Sequence, residues 1–121
     1  AYIAATDNKK GATSNNSIKA YHYREAVKHF DKAISHNPDF AEAHYNKGVA
    51  EIALSDYDTA IKDFDTAITL NPDLAEAHYN KGIILIQQGK TDEAITALSR
   101  AGELGLYTAY SIIKKHQKQN Q

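Results

Sequence analysis

At 121 residues, with 42% hydrophobic and 24% charged side chains, the chain suits one small globular domain or a few stacked repeats. Its net charge of -1 excludes the basic excess of a dedicated nucleic-acid binder, and no apolar run approaches the roughly 18 residues that a membrane-spanning helix needs. Zero cysteines exclude disulfides, thiolate metal sites and cysteine nucleophiles, and choose no compartment.

One near-duplication frames the elements. Asn37–Gly48 and Asn71–Gly82 share eleven of twelve letters and lie 34 residues apart, a spacing that signals stacked helix pairs. The chain opens on Ala1 rather than Met, which reads as a processed or truncated product, and AYIAATDNKK lacks the basic start and long apolar stretch of a signal peptide. A cytoplasmic and an exported or periplasmic location both stay open. Ala1–Ala5 aligns with the tail of a helix A, with Tyr2 set against Glu51. Tyr2 and Tyr23 are then separated by about 15 residues more than Glu51 and Tyr57, which predicts an inserted polar loop over about 6–20. Part of that insertion reads as helix, since Ile18, His22, Ala26, Phe30 and Ala33 share one face and Ser17 can cap it. Asp7–Asn16 is the segment least able to order. With so little helix A before it, the face around Tyr23, Val27 and Phe30 is expected to be undercovered, so that Ala1–Asn16 frays or the N-terminal end self-associates.

Ala41–Leu74 and Ala75–Thr108 align without gaps with 14 identities in 34 positions. In the first, helix A covers roughly Ala41–Leu54 and helix B roughly Asp56–Leu70, and Pro72 ends the pair because it disfavours a helical Asn71 and has no N–H to donate. In the second, Gly89 supplies the turn and Thr91-Asp92 starts helix B. Small residues recur where helices must approach closely: Gly48, Ala60 and Ala67, then Gly82, Ala94 and Ala101. Tyr57, Phe64 and Ile68 are expected to fill the space between them. Past Gly105, Leu106–Gln119 reads as a further helix with Leu106, Tyr107, Tyr110 and Ile113 on one face, suited to cover the apolar side of the last repeat.

This arrangement resembles the tetratricopeptide repeat, with a Gly in helix A, an Ala–aromatic–Ala series in helix B and a closing Pro. The pattern is carried by Gly48, Ala60, Phe64, Ala67 and Pro72, by Gly82, Ala94, Leu98 and Ala101 with Leu106 in the Pro position, and by Tyr23, Ala26, Phe30, Ala33 and Pro38. His44 and His78 stand where the family often has Trp, and Lys47 and Lys81 where it often has Leu. The resemblance implies an all-α fold: a right-handed α-solenoid of antiparallel helix pairs, about 2.5 repeats with a C-terminal capping helix. The expected organisation is one domain over 1–121, with an irregular first repeat over 1–40, repeats over 41–74 and 75–106, and a cap with polar tail over 107–121.

Chemistry finds little footing. His22, His29 and His36 recur every seven residues rather than at the i, i+4 spacing of helical metal ligands, and there is no HExxH pattern. Asp63 and Asp65 flank Phe64 and are expected to be solvated. No phosphate-cradling glycine loop or nucleophile elbow occurs, so no catalytic residue, metal or cofactor is expected. Lys114, Lys115 and Lys118 make too small a basic tail for nucleic acid.

A binding surface remains. In a tetratricopeptide array the helix A face turned away from helix B lines a concave groove. Here that face carries Glu42, Tyr45, Asn46, Val49 and Ile52, with Ala53 beside them, then Glu76, Tyr79, Asn80, Ile83 and Gln87, with Ile86. Tyr offers apolar area with a polar tip, and an Asn amide pairs with peptide backbone in either polarity. Asn46 and Asn80 resemble the asparagine ladder in the repeats of O-linked N-acetylglucosamine transferase. The family's carboxylate clamp for acidic tails needs Lys or Arg near Tyr45, Asn46, Glu76 and Asn80, and only Asn46 fits. The resemblance therefore implies a non-enzymatic module that binds an extended neutral or basic segment of a protein partner, not nucleic acid or membrane. The alternative is a scaffolding piece of a larger array.

Overall fold

The computed structural model describes residues 2–119, with side chains from Asn16 onward. Among the described residues there are six helices and no strands: α1 (Tyr2–His36), α2 (Ala41–Ala53), α3 (Tyr57–Leu70), α4 (Ala75–Gln87), α5 (Thr91–Glu103) and α6 (Thr108–Gln119). The turns between them follow from local sequence. In Asn37-Pro38-Asp39-Phe40 and Asn71-Pro72-Asp73-Leu74 the fourth residue's N–H donates to the Asn carbonyl at 3.2 Å, with Pro presetting the second position of the turn. The turn inside each pair is a Schellman closure. Asp56 N–H donates to Glu51 O at 2.8 Å and Ser55 N–H to Ile52 O at 2.9 Å, and Lys90 and Gly89 repeat this on Leu85 and Ile86. That closure needs a left-handed residue. Gly89 takes φ 78° at no steric cost, whereas Ser55 is held at φ 61° against its own Cβ.

Packing follows the repeat. Phe64 and Leu98, equivalent positions of α3 and α5, are fully buried. Each lies against a glycine: a Cβ at Gly48 would stand 2.7 Å from Phe64 Cε1, and one at Gly82 2.6 Å from Leu98 Cγ. No larger residue would let these helices approach so closely. One apolar cluster joins Ala60, Phe64, Ala77 and Ile84, and a second joins Leu98, Ala101 and Ala109 beneath Leu106, Ile112 and Ile113.

The two departures from the family pattern are themselves periodic. His44 Nε2 donates to the Pro38 carbonyl at 2.8 Å and His78 Nε2 to the Pro72 carbonyl at 2.9 Å, pinning each first helix to the preceding turn. Lys47 Nζ meets Asp31 at 2.8 Å and Lys81 Nζ meets Asp65 at 2.6 Å, so each lysine ties its helix to the one before it.

Four expectations are corrected. The inserted loop over about 6–20 is not a loop, because α1 runs unbroken through it from Tyr2 to His36. The segment has no Pro, its lone Gly11 is tolerable in a helix, and the turns from Tyr23 onward act as a preformed nucleus, so extension costs little. Of the Ala1–Asn16 segment expected to fray, Ala1 and the side chains up to residue 15 lie outside the described residues. Tyr57 is not a buried filler but more than one-third exposed. Asp63 is not solvated like Asp65: its side chain is only 14% exposed and points toward Lys47. On α6, Tyr107 faces solvent, while Ala109 carries the buried contact and the Tyr110 ring lies over Gly102.

Candidate functional site

Helices α2 and α4 carry the ten residues that the sequence singles out. Glu42, Asn46, Val49, Glu76 and Gln87 are exposed, and Tyr45, Ile52, Tyr79, Asn80 and Ile83 are half-buried. The half-buried ones divide their surface between solvent and core. Tyr45 and Ile52 pack on the Phe64 cluster, and Tyr79 and Ile83 on the Leu98 cluster. The two repeats meet through a direct bond, in which Asn80 Nδ2 donates to Tyr45 Oη at 3.1 Å. Asn80 is thus partly committed to holding the repeats in register, while Asn46 is free of any such tie to a neighbouring repeat.

Burial raises the Tyr45 pKa above its ordinary value, the Asn80 hydrogen bond works against that rise, and the charge of Glu76 adds to it. Glu76 therefore acts on the same stretch of surface. No Lys or Arg stands at these positions. The nearest lysines in sequence, Lys47 and Lys81, are drawn to Asp31 and Asp65. Burial works against the Lys47 ammonium, but Asp31 and Asp63 outweigh it and hold its pKa above the ordinary lysine value. The ten positions themselves are therefore neutral or acidic.

The α1 face that the sequence marks as undercovered adjoins these positions. Tyr23, Ala26 and Phe30 join Asn46, Val49 and Ala50 around an open cavity of about 250 Å³. The signal was available, because Phe30 occupies the repeat position of Phe64 but lacks the glycine-bearing helix that covers Phe64. A larger cavity, about 460 Å³, lies on another face between Ile68, His78, Lys81 and the α5 residues Glu93, Ala97 and Arg100. Its cations are already engaged, with Lys81 on Asp65 and Arg100 on Asp73 and Glu103. Among the described residues no group of three or more His, Asp or Glu side chains could hold a metal, and no helix is long and apolar enough to cross a membrane.

Stacked antiparallel helix pairs with a recurring glycine seam, set against Phe64 and then Leu98, define a helical-repeat solenoid. Models of the TPR repeat match residues 48–89, and models of the tetratricopeptide repeat match 29–62 and 75–105. The chain belongs to the tetratricopeptide repeat family. No curated protein matches it significantly. Among solved structures, the first TPR of Spaghetti (RPAP3), bound to the HSP90 peptide SRMEEVD, is similar at 23% identity and a TM-score of 0.76, over 89% of this chain and 87% of that one. The Yersinia enterocolitica type III secretion chaperone SycD, in complex with a peptide of the translocator YopD, is similar at 19% identity and a TM-score of 0.78, over 97% and 96%. MamA is similar at 25% identity and a TM-score of 0.68, over 74% of this chain and 52% of that one. These likenesses establish the fold.

Proposed function

We propose that the chain is a non-enzymatic interaction module whose α2–α4 face takes up an extended, neutral or basic segment of a protein partner. One observation carries this reading: Glu42, Asn46, Val49 and Glu76 are exposed, and Lys47 and Lys81, which follow the two asparagines in sequence, are paired with Asp31 and Asp65. Two solved relatives of the same fold hold peptides, which supports peptide uptake as the mode. The HSP90 peptide SRMEEVD held by one of them is acidic, whereas the groove here would repel such a ligand through Glu42 and Glu76. Asn46 would pair with the ligand backbone, the Asn80–Tyr45 pair would present a second polar contact, and Val49 with Tyr79 would supply apolar area. Titration with peptides matched in length and differing only in charge tests this. Basic and neutral peptides should bind and acidic ones fail, with the preference for basic peptides fading as salt rises. Tightest binding by the acidic peptides would refute it.

A second reading rests on the cavity at Tyr23, Ala26, Phe30, Asn46, Val49 and Ala50. In both complete repeats the residue equivalent to Phe30 is fully covered by a preceding helix, so this end supports use as a scaffolding piece of a longer array or self-association through the N-terminal end. Sedimentation separates the two readings. A monomer that binds peptide supports the first, and concentration-dependent association abolished by Phe30→Glu supports the second.

A further inference from the structure

The seam between α1, α2 and α3 is polar where the next seam is apolar. Glu51 is only 4% exposed, and its Oε1 meets no donor. Asp63, one helix away, is likewise buried at Oδ2 without a hydrogen-bond donor, and the two carboxyl groups lie against each other. Lys47 Nζ stands 3.9 Å from Asp63 Oδ2, beyond hydrogen-bonding distance, and spends its short contact on Asp31 of α1 at 2.8 Å. Asp56 at the start of α3 adds a further negative charge. Three elements thus bring Asp31, Glu51 and Asp63 toward one ammonium, with Asp56 acting on Glu51.

The chain holds its own control. Thirty-four residues on, the positions of Glu51 and Asp63 are Leu85 and Ala97, both buried in an otherwise matching helix pair. The fold therefore does not require carboxyl groups there. Two interacting carboxyl groups, each with a buried oxygen that meets no donor, are satisfied when one keeps its proton and donates it to the other. We infer that Glu51 and Asp63 share one proton in the folded chain, and that its loss at mildly alkaline pH loosens the first inter-repeat seam.

Burial of the Glu51 carboxyl, reinforced by Asp63, pushes its pKa up to about 8, against an ordinary value of 4.5. A group whose folded pKa lies above its unfolded one stabilises fully below the unfolded value. The contribution is then lost as pH rises between 4.5 and about 8. Stability should decline toward alkaline pH, the reverse of the usual behaviour of an ion-paired carboxylate.

The test is thermal unfolding of the full chain from pH 5 to pH 8.5, beside Glu51→Gln and the double variant Glu51→Leu with Asp63→Ala, which copies the next repeat. The parent midpoint should fall by about 5 °C or more across this range. In both variants the decline should flatten to less than half. A decline of unchanged slope in both overturns the inference. Infrared spectroscopy of the parent at pH 6.5 guards against a variant that fails to fold. The carbonyl band of a protonated carboxyl should be present there and vanish by pH 9, and its absence at pH 6.5 overturns the inference equally.

Discussion

Phe64 concentrates the stability of the middle repeat in one side chain. It is fully buried, lies with its ring centre 5.7 Å from that of Tyr45 at a tilt of 46°, and fits only because Gly48 offers no Cβ. Phe64→Ala should cost ~3–5 kcal/mol in chemical denaturation, a large share of what a domain this size possesses. Ser55 makes the opposite case. It occupies a left-handed position that the next repeat gives to Gly89, so Ser55→Gly should raise stability by up to ~1 kcal/mol, by relief of backbone strain. A loss of stability would mean that the serine hydroxyl holds the turn. At this scale the sequence was legible wherever periodicity applied. Alanines 43, 50, 60 and 67 fall inside as their spacing demands. Asp63 and Asp65 escaped that logic. Both flank Phe64, and only the position of Lys47 and Glu51 across the seam decides which is buried.

Helices α1 and α6 close the ends of the stack in different ways. Leu106, Ile112 and Ile113 of the C-terminal segment seal Leu98 and Ala101, so ending the chain after Tyr107 should cost about 3 kcal/mol or more by re-exposing them. Circular dichroism should show the loss as a lowered melting midpoint. By contrast, deleting Asp7–Asn15 removes residues without apolar side chains beyond one alanine and should cost far less than Phe64→Ala. Melting curves ranking the two the other way round would contradict the packing described. The α2–α5 boundaries were readable within one or two residues, because Pro72, Gly89 and the Asn-Pro-Asp turns punctuate them. The continuity of α1 was not readable. A polar segment without a hydrophobic stripe carries no periodic signal, and its helicity comes from extension of the anchored turns after Tyr23.

For the whole molecule, the family is written in the glycine, alanine and aromatic positions that set helix spacing, whereas the ligand depends on residues the fold leaves free. Five of the ten positions proposed for the ligand are exposed and five are half-buried, four of these packing on the core. This division was not readable in the sequence, because it arises from contacts with the Phe64 and Leu98 clusters. The central claim is that this face, and not the basic C-terminal helix, binds the partner. Its most direct test is calorimetric titration of a basic peptide into three proteins: the parent, Asn46→Ala with Asn80→Ala, and Lys114→Ala with Lys115→Ala. Two lost neutral hydrogen bonds at ~0.5–1.5 kcal/mol each should weaken binding by roughly five-fold or more in the asparagine variant. Its melting midpoint should drop only slightly, through the lost Asn80–Tyr45 contact, and the lysine variant should bind as the parent does. Binding that survives loss of both asparagines and disappears with the two lysines would contradict the account.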